Sequence, residues 1–240
     1  AKTSTLVMAA HKLPLVPTAC FAFNKRIADE MAKRMPSHIS CSTMNSIGHR
    51  VWAQATGKRL AMDFKKSYNT LTAVVKELSS SDRAEAYDSF ADILRMISFA
   101  KRSGYVPPDK WPTAKPLMTR EHFHEALEEP PTLLQSVLVD EVLNTSIRAA
   151  YAGTIDFDDQ IYMPTLFGGS FPKFPLVMVD EAQDLSEINH AMLRKLVSTR
   201  LIAVGDPYQS IYGFRGARHG GMASMQAEFG CVPLSLSVSF

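Results

Sequence analysis

Two unbroken apolar runs in this chain end in acid. Leu176-Val177-Met178-Val179 leads into Asp180-Glu181, and Leu201-Ile202-Ala203-Val204 leads into Gly205-Asp206. A strand that is apolar on both faces has to be covered on both, which is the condition of a strand inside a parallel sheet flanked by helices. The neighbouring sequence alternates accordingly. Residues 18–23 (TACFAF) and 38–44 (HISCSTM) read as strands, and each is followed by a helical pattern, over 25–35 up to Pro36 and from Ser46 to Gly57. A helix over 186–198, a strand over 200–206, a helix from about Ala217 and a strand over 231–238 complete the series. Between them the character changes. Segments 66–78, 83–102, 119–128 and 132–151 carry helical spacing, with Phe90, Ile93, Leu94 and Ile97 as the clearest stripe, and proline-rich breaks fall at 104–116 and at Pro130-Pro131. The expected fold is α/β: one parallel-sheet core formed by 1–60 and 150–240, interrupted by a helical insertion at 61–149.

In an open parallel sheet, ligands bind outside the carboxyl ends of the strands, where Asp180 and Glu181 stand. An acid there can ligate Mg²⁺, a cation that takes oxygen ligands and keeps several waters. A neighbouring acid can orient or deprotonate a water that attacks a phosphoryl group. Asp184, ahead of Leu-Ser-Glu-Ile, is suited to capping a helix. The second run continues to Gln209, which can report on a γ-phosphate, and then to Tyr212, Phe214 and Arg215. Aromatics beside a cation suit stacking on nucleic-acid bases, and Gly213 and Gly216 favour an exposed turn there over a packed core.

The segments VDEAQD (179–184) and GDPYQSIYGFRGA (205–217) resemble motifs II and III of the UvrD/Rep-like superfamily 1 DNA helicases. AFNKRIADEMAKR (22–34) is similar to their motif Ia, STMNSIGHRVW (42–52) to motif Ib, and GTIDFDDQIYMP (153–164) to the Asp-Phe-Asp-Asp segment that returns the chain from the helical insertion. The opening AKTSTLV is similar to the tail of motif I. The ordered set covers nearly the whole chain. It implies a RecA-like P-loop NTPase core that uses ATP and Mg²⁺. By that resemblance Lys2, Thr3 and Ser4 meet the nucleotide, Lys2 neutralising its β/γ-phosphates and Thr3 sharing Mg²⁺ with Asp180, and Glu181 activates the attacking water. Gln209 senses the γ-phosphate and couples it to DNA. Phe23, Tyr212 and Phe214 stack on the bases of a single strand, while Asn24, Thr43, Ser46 and Arg215 touch or support its backbone. Asn45 stands where the family often has histidine, and His49 and Trp52 read as helix packing.

The same resemblance implies a complete enzyme that couples ATP hydrolysis to movement on single-stranded DNA and unwinding at duplex junctions, 3′ to 5′. Two departures bear on this chain. Ala1 stands at a glycine position and the glycine-rich turn of motif I does not precede it, so the backbone cradle for phosphate is expected to be incomplete. The sequence stops at LSLSVSF, one residue before the arginine that opens motif IV, so the second RecA-like domain is expected to be absent. A truncated single-stranded DNA-binding module without ATPase activity, part of a helicase–nuclease subunit, and a scaffold binding neither ligand stay open as alternatives. Composition narrows the setting. No apolar run approaches the roughly 20 residues of a membrane span. Cys20, Cys41 and Cys231 lie far apart with no CxxC pair, which points to a reducing cytoplasmic setting and away from a disulfide framework or zinc site. Net charge is +2, yet residues 1–60 hold nine Lys/Arg against two acids, a basic first quarter suited to phosphate-bearing partners.

Overall fold

The structure, a computed structural model, describes residues 2–209 and 221–235. The chain divides into two compact units, Ala1–Ile47 with Phe171–Phe240, and Gly48–Ser170. The first opens with helix α1 (Lys2–Ala10), strand β1 (Thr18–Phe21), helix α2 (Lys25–Ala32) and strand β2 (Ile39–Ser42); helix α3 (Met44–Thr56) carries the chain onward. The starts of α2 and α3 are set by side-chain oxygens that satisfy free helix amides: Asn24 Oδ1 accepts from Ile27 N at 2.9 Å, and Thr43 Oγ1 accepts from Ser46 N at 3.2 Å.

The second unit contains β3 (Ala61–Met62), α4 (Lys66–Lys76), α5 (Ser80–Asp88), α6 (Phe90–Ser103), α7 (Arg120–Glu125), α8 (Leu133–Ala152), β4 (Thr154–Ile155) and α9 (Asp159–Leu166). The apolar stripe of α6 turns inward: Ile93 and Ile97 join Leu71, Val75, Leu138 and Val142 in the core, with Phe90 and Leu94 packed at its edge. The single helix expected over 83–102 is two helices, broken at Ser89. Ser89 Oγ donates to the Glu85 carbonyl at 3.0 Å, a local bond that competes with helix continuation. Helix α6 ends at Gly104, whose φ of +78° favours glycine, and a Cβ there would stand 2.7 Å from the Leu117 side chain.

Four charges lie inside this unit. Lys66 Nζ meets Asp159 Oδ2 at 2.6 Å, and Lys101 Nζ meets Asp156 Oδ2 at 2.6 Å and Asp159 Oδ1 at 2.8 Å. The Asp159 amide donates to Asp156 Oδ1 and the Asp156 amide to Asp159 Oδ2. These are the outer carboxylates of the Asp-Phe-Asp-Asp segment; its third acid, Asp158, binds Arg102 at 3.2 Å and Ser98 at 2.9 Å.

The chain re-enters the first unit with β5 (Phe174–Val179), a 3₁₀ turn (Ala182–Asp184), α10 (Glu187–Leu196), β6 (Val197–Ala203), a second 3₁₀ turn (Pro207–Gln209) and α11 (Gly221–Phe229). The sheet order is β2-β1-β5-β6, all parallel. Phe21, Val177 and Val179 are as buried as Cys20 and Met178. The central strands β1 and β5 are therefore covered on both faces, with Leu6, Ala10, Ala28 and Met31 packed over the Cys20–Met178 side, while β6, expected to be buried, is half-buried to exposed. Three local expectations change. Ser186 caps α10 instead of Asp184, its N and Oγ both donating to Asn189 Oδ1 at 3.1 and 2.7 Å. Strand β6 begins at Val197, because Phe174 pairs with that residue and draws the end of the expected helix into the sheet. Residues 231–235 form no strand: Pro233 has no amide to donate, and Val232 and Leu234 are exposed. Residues 236–238 of that expected strand lie outside the described residues.

Candidate functional site

The strand order reverses between β1 and β5, so the crevice outside their carboxyl ends is the switch point where such sheets bind ligands. Phe21 is in register with Val179, and Asp180 N donates to Phe21 O at 2.9 Å. This sets Asp180-Glu181 beside the Ala22–Asn24 turn. The start of α1 reaches the same place. Thr3 Oγ1 donates to Asp180 Oδ2 at 2.7 Å, and Lys2 Nζ bonds Glu181 Oε2 at 2.5 Å and Gln209 Oε1 at 3.2 Å. Five residues read as site residues, from three distant stretches of chain, thus form one bonded cluster.

Glu181 has φ +52° and ψ +44°; among the described non-glycine residues only Asp109 shares a positive φ. Such a conformation costs on the order of 1–3 kcal/mol and persists where its surroundings impose it. Here it turns the chain abruptly after β5, so that Glu181, Gln183 and Asp184 share a cleft of about 520 Å³ with Phe23, Ile27, Tyr208 and Gln209.

Lys2 faces an excess of negative charge. Burial pushes the Asp180 carboxyl above its usual range, the Thr3 hydroxyl pulls it down, and neighbouring Glu181 pushes it up again. Asp184 is raised by burial and by Glu181. Its Oδ1 is buried with no hydrogen-bond partner. Three carboxylates against Lys2, with hard oxygen donors on Thr3 and Asp180, fit a divalent cation of the Mg²⁺ type. Among the described residues no group of three or more His, Cys, Asp or Glu forms a metal cage. The protein would therefore supply only part of the shell, as suits an ion that retains waters and phosphate oxygens.

The other expected residues fall out differently. Ser4 is exposed on α1 and takes no part in these bonds. Phe23 is 51% exposed at the cleft. Asn24 is engaged as the cap of α2, and the Thr43 and Ser46 hydroxyls lie 2.9 Å apart at the start of α3. Tyr212, Phe214 and Arg215 lie outside the described residues. Trp52 is buried, its indole N–H donating to Ala150 O at 3.1 Å, and His49 Nδ1 lies 3.3 Å from the Gln160 amide, so both are packing residues.

Gln183, Ile27 and Tyr208 are cleft residues that sequence reading missed. Gln183 Nε2 donates to Glu181 Oε2 at 2.8 Å and Asp184 Oδ2 at 3.2 Å, while its Oε1 accepts from Asp206 N at 3.0 Å. It ties the ends of β5 and β6 together. The approach is close enough that a Cβ at Gly205 would lie 2.7 Å from Gln183 Oε1. A signal for it was present: a glycine ending one apolar run, and an amide set among the acids that end the other.

A parallel sheet with a Lys-Thr helix start bonded to acids at a strand end defines a RecA-like core. The family profile of the UvrD/REP helicase N-terminal domain matches residues 7–230, and the chain belongs to that family. It is 28% identical over 210 residues to a Schizosaccharomyces pombe protein named ATP-dependent DNA helicase srs2, covering 85% of this chain and 22% of that protein. Over 222 residues it is 25% identical to ATP-dependent DNA helicase PcrA of Leuconostoc citreum, covering 85% and 27%. An 85-residue stretch is 34% identical to ATP-dependent DNA helicase Rep of Escherichia coli, covering 31% and 13%. The chain thus spans about a quarter or less of the length of these curated relatives. No helix among the described residues is long and apolar enough to cross a membrane.

Proposed function

We propose that this domain is the ATP-binding half of a UvrD-like DNA helicase of the cytoplasm. In the complete protein it couples Mg²⁺-dependent ATP hydrolysis to 3′-to-5′ movement on single-stranded DNA and to unwinding at duplex junctions. In this reading residues 1–60 and 150–240 form the RecA-like core, and 61–149 form the inserted subdomain. The observation that carries it is the chain of contacts Gln209–Lys2–Glu181 at the mouth of the sheet.

Lys2 is bonded to the carboxylate best placed to act as a base. A polyphosphate competes for that ammonium, and Lys2 can hold Glu181 or phosphate oxygens but not both at full strength. Glu181, still anchored by Gln183, is then free to take a proton from the attacking water. Thr3 and Asp180 are the residues that would hold Mg²⁺, with Ser4 beside them at the start of α1. Held there, the ion would supply positive charge against the charge that develops on the transferred phosphoryl group.

Gln209 loses its Lys2 partner in the same exchange. It shares a 3₁₀ turn with Tyr208, across the cleft from Phe23, so its displacement is passed to an aromatic pair suited to stacking on bases. The capped starts of α2 and α3, at Asn24 and at Thr43 with Ser46, offer backbone amides to DNA phosphates. Tyr212, Phe214 and Arg215 extend that surface in the reading drawn from their motif. The test is Glu181→Gln in the complete protein. Turnover should fall by about 10²–10⁴-fold while single-stranded DNA affinity stays unchanged. Retained ATP hydrolysis removes Glu181 as the base.

A further inference from the structure

The pairing of β1 with β2 sets Cys20 directly opposite Cys41. In-register neighbours on adjacent strands project to the same face, with backbones about 4.8 Å apart. That lies inside the roughly 4.4–6.8 Å Cα separation that a disulfide spans. Both are free thiols. They differ in access. Cys20 is fully buried under α1 and α2, whereas Cys41 is only half-buried on β2, the edge of the described sheet.

We propose that Cys20 and Cys41 form a vicinal dithiol, a redox modification site that hydrogen peroxide converts into a Cys20–Cys41 disulfide. Their chemistry divides the two roles. The neighbouring Cys20 thiol holds the Cys41 thiol below its ordinary value against the opposing effect of burial. The neighbouring Cys41, burial and the negative charge of Asp180 raise the Cys20 thiol and hold it protonated. The accessible, more acidic thiol attacks first. Cys41 loses its proton and its sulfur takes the terminal oxygen of the peroxide; the O–O bond breaks, and the departing hydroxide accepts that proton as water. Cys20 sulfur then attacks the Cys41 sulfenic sulfur. The S–S bond forms, the S–O bond breaks, and hydroxide leaves with the Cys20 proton as a second water. Two thiols are oxidised by two electrons, and one peroxide is reduced to two waters.

The bridge would join the strands just ahead of Phe23-Asn24 and of Thr43 and Ser46. It would thereby fix the spacing between the starts of α2 and α3. The site stands on β1–β2 register alone and does not depend on the proposed helicase function.

The test uses the chain carrying Cys231→Ser, treated with hydrogen peroxide and mapped by tryptic digestion without reductant. Lys25, Arg26, Lys33 and Arg34 separate the two cysteines, so a bridge appears as a linked pair of peptides. The expected result is loss of both titratable thiols, a decrease of about two mass units in the intact chain, and reversal by dithiothreitol. In parallel, the reduced chain should bind phenylarsine oxide one to one. That affinity should drop at least about tenfold in Cys41→Ser, since an arsenical gains its strength from two thiols at once. Cys41 advancing to sulfinic acid beside a free Cys20 thiol overturns the proposal, as does equal arsenical capture by Cys41→Ser.

Discussion

Each unit sets lysine ammonium groups against carboxylates, and the two arrangements differ in stoichiometry and in access to water. In the unit formed by 48–170, Lys66 and Lys101 meet Asp156 and Asp159, two charges of each sign, with side chains 1–12% exposed. Each of the four carboxylate oxygens meets a cation or a backbone amide. At the sheet crevice of the other unit, Lys2 meets Glu181 with side chains 20% and 30% exposed, beside Asp180 and Asp184. Each network holds one buried carboxylate oxygen without a hydrogen bond, but Asp159 Oδ1 lies 2.8 Å from the Lys101 ammonium, whereas Asp184 makes no ion pair among the described residues, and the Glu181 backbone is strained. A balanced, saturated network has nothing left to offer a ligand. One with surplus negative charge, an opening and a stored cost has a reason to bind something. Burial and partner count separate the two better than the presence of acids does.

The largest expected effect tests that separation. Lys101→Met leaves Asp156 and Asp159 buried with only Lys66 to share, and should cost about 3–5 kcal/mol. Lys2→Met breaks a partly solvated pair and should cost under about 1 kcal/mol. Urea unfolding of both variants measures the contrast, and equal losses would dissolve it.

Acid should reveal the balanced network next. Burial opposes ionisation of Asp156, but the Lys101 ammonium outweighs it and holds the carboxyl at about 2, below its ordinary 3.8. A depressed carboxyl stabilises the fold above its unfolded pKa and loses that contribution as pH falls through its folded one. About 2 kcal/mol should therefore disappear between roughly pH 4 and pH 2. Asp156→Asn should flatten the fall in unfolding free energy over that window; an unchanged slope would show that the pair is not the source.

The smallest effect has the opposite sign and sharpens the view of the crevice. Burial raises the Asp180 carboxyl, so the folded chain takes up a proton more readily than the unfolded one, and its contribution to stability falls as pH rises through the carboxylate range. At pH 7 Asp180→Asn should raise stability by ~0.5–1 kcal/mol. A lower melting temperature would mean that the Thr3–Asp180 bond is mainly structural.

Parts of this were legible in the residue order. The apolar run 176–179 announces a covered strand, the run 201–204 announces a strand that is only half-buried in β6, and the stripe of Phe90, Ile93, Leu94 and Ile97 announces a helix with one buried face. Lys2, Thr3, Asp180, Glu181 and Gln209 could be singled out from residue type and motif order, and they do meet. The break at Ser89 was hidden, because apolar spacing continues through it and only the side-chain bond to Glu85 reveals the interruption. The cap of α10 was misplaced by two residues, because Asp184 and Ser186 are both good caps, and the Asp184 carboxylate is taken by the Gln183 amide while Ser186 pairs with Asn189. Gln183 looked like a spacer until the ends of β5 and β6 were placed side by side.

The sequence by itself determined the alternation of strand and helix around β1, β2 and β5, and that acids stand at the end of β5, since burial period and caps are properties of a few consecutive residues. Only the tertiary structure decided which distant residues meet. Cys20 and Cys41 look like isolated thiols along the chain and become neighbours through the register of β1 against β2. Lys66 and Lys101, far apart along the chain, are brought together where α8 and the Asp156–Asp159 turn close over them. The physical reason is the same in each case. Strand neighbours and buried ion pairs are selected by how whole elements pack, a non-local energy that no short window of sequence contains.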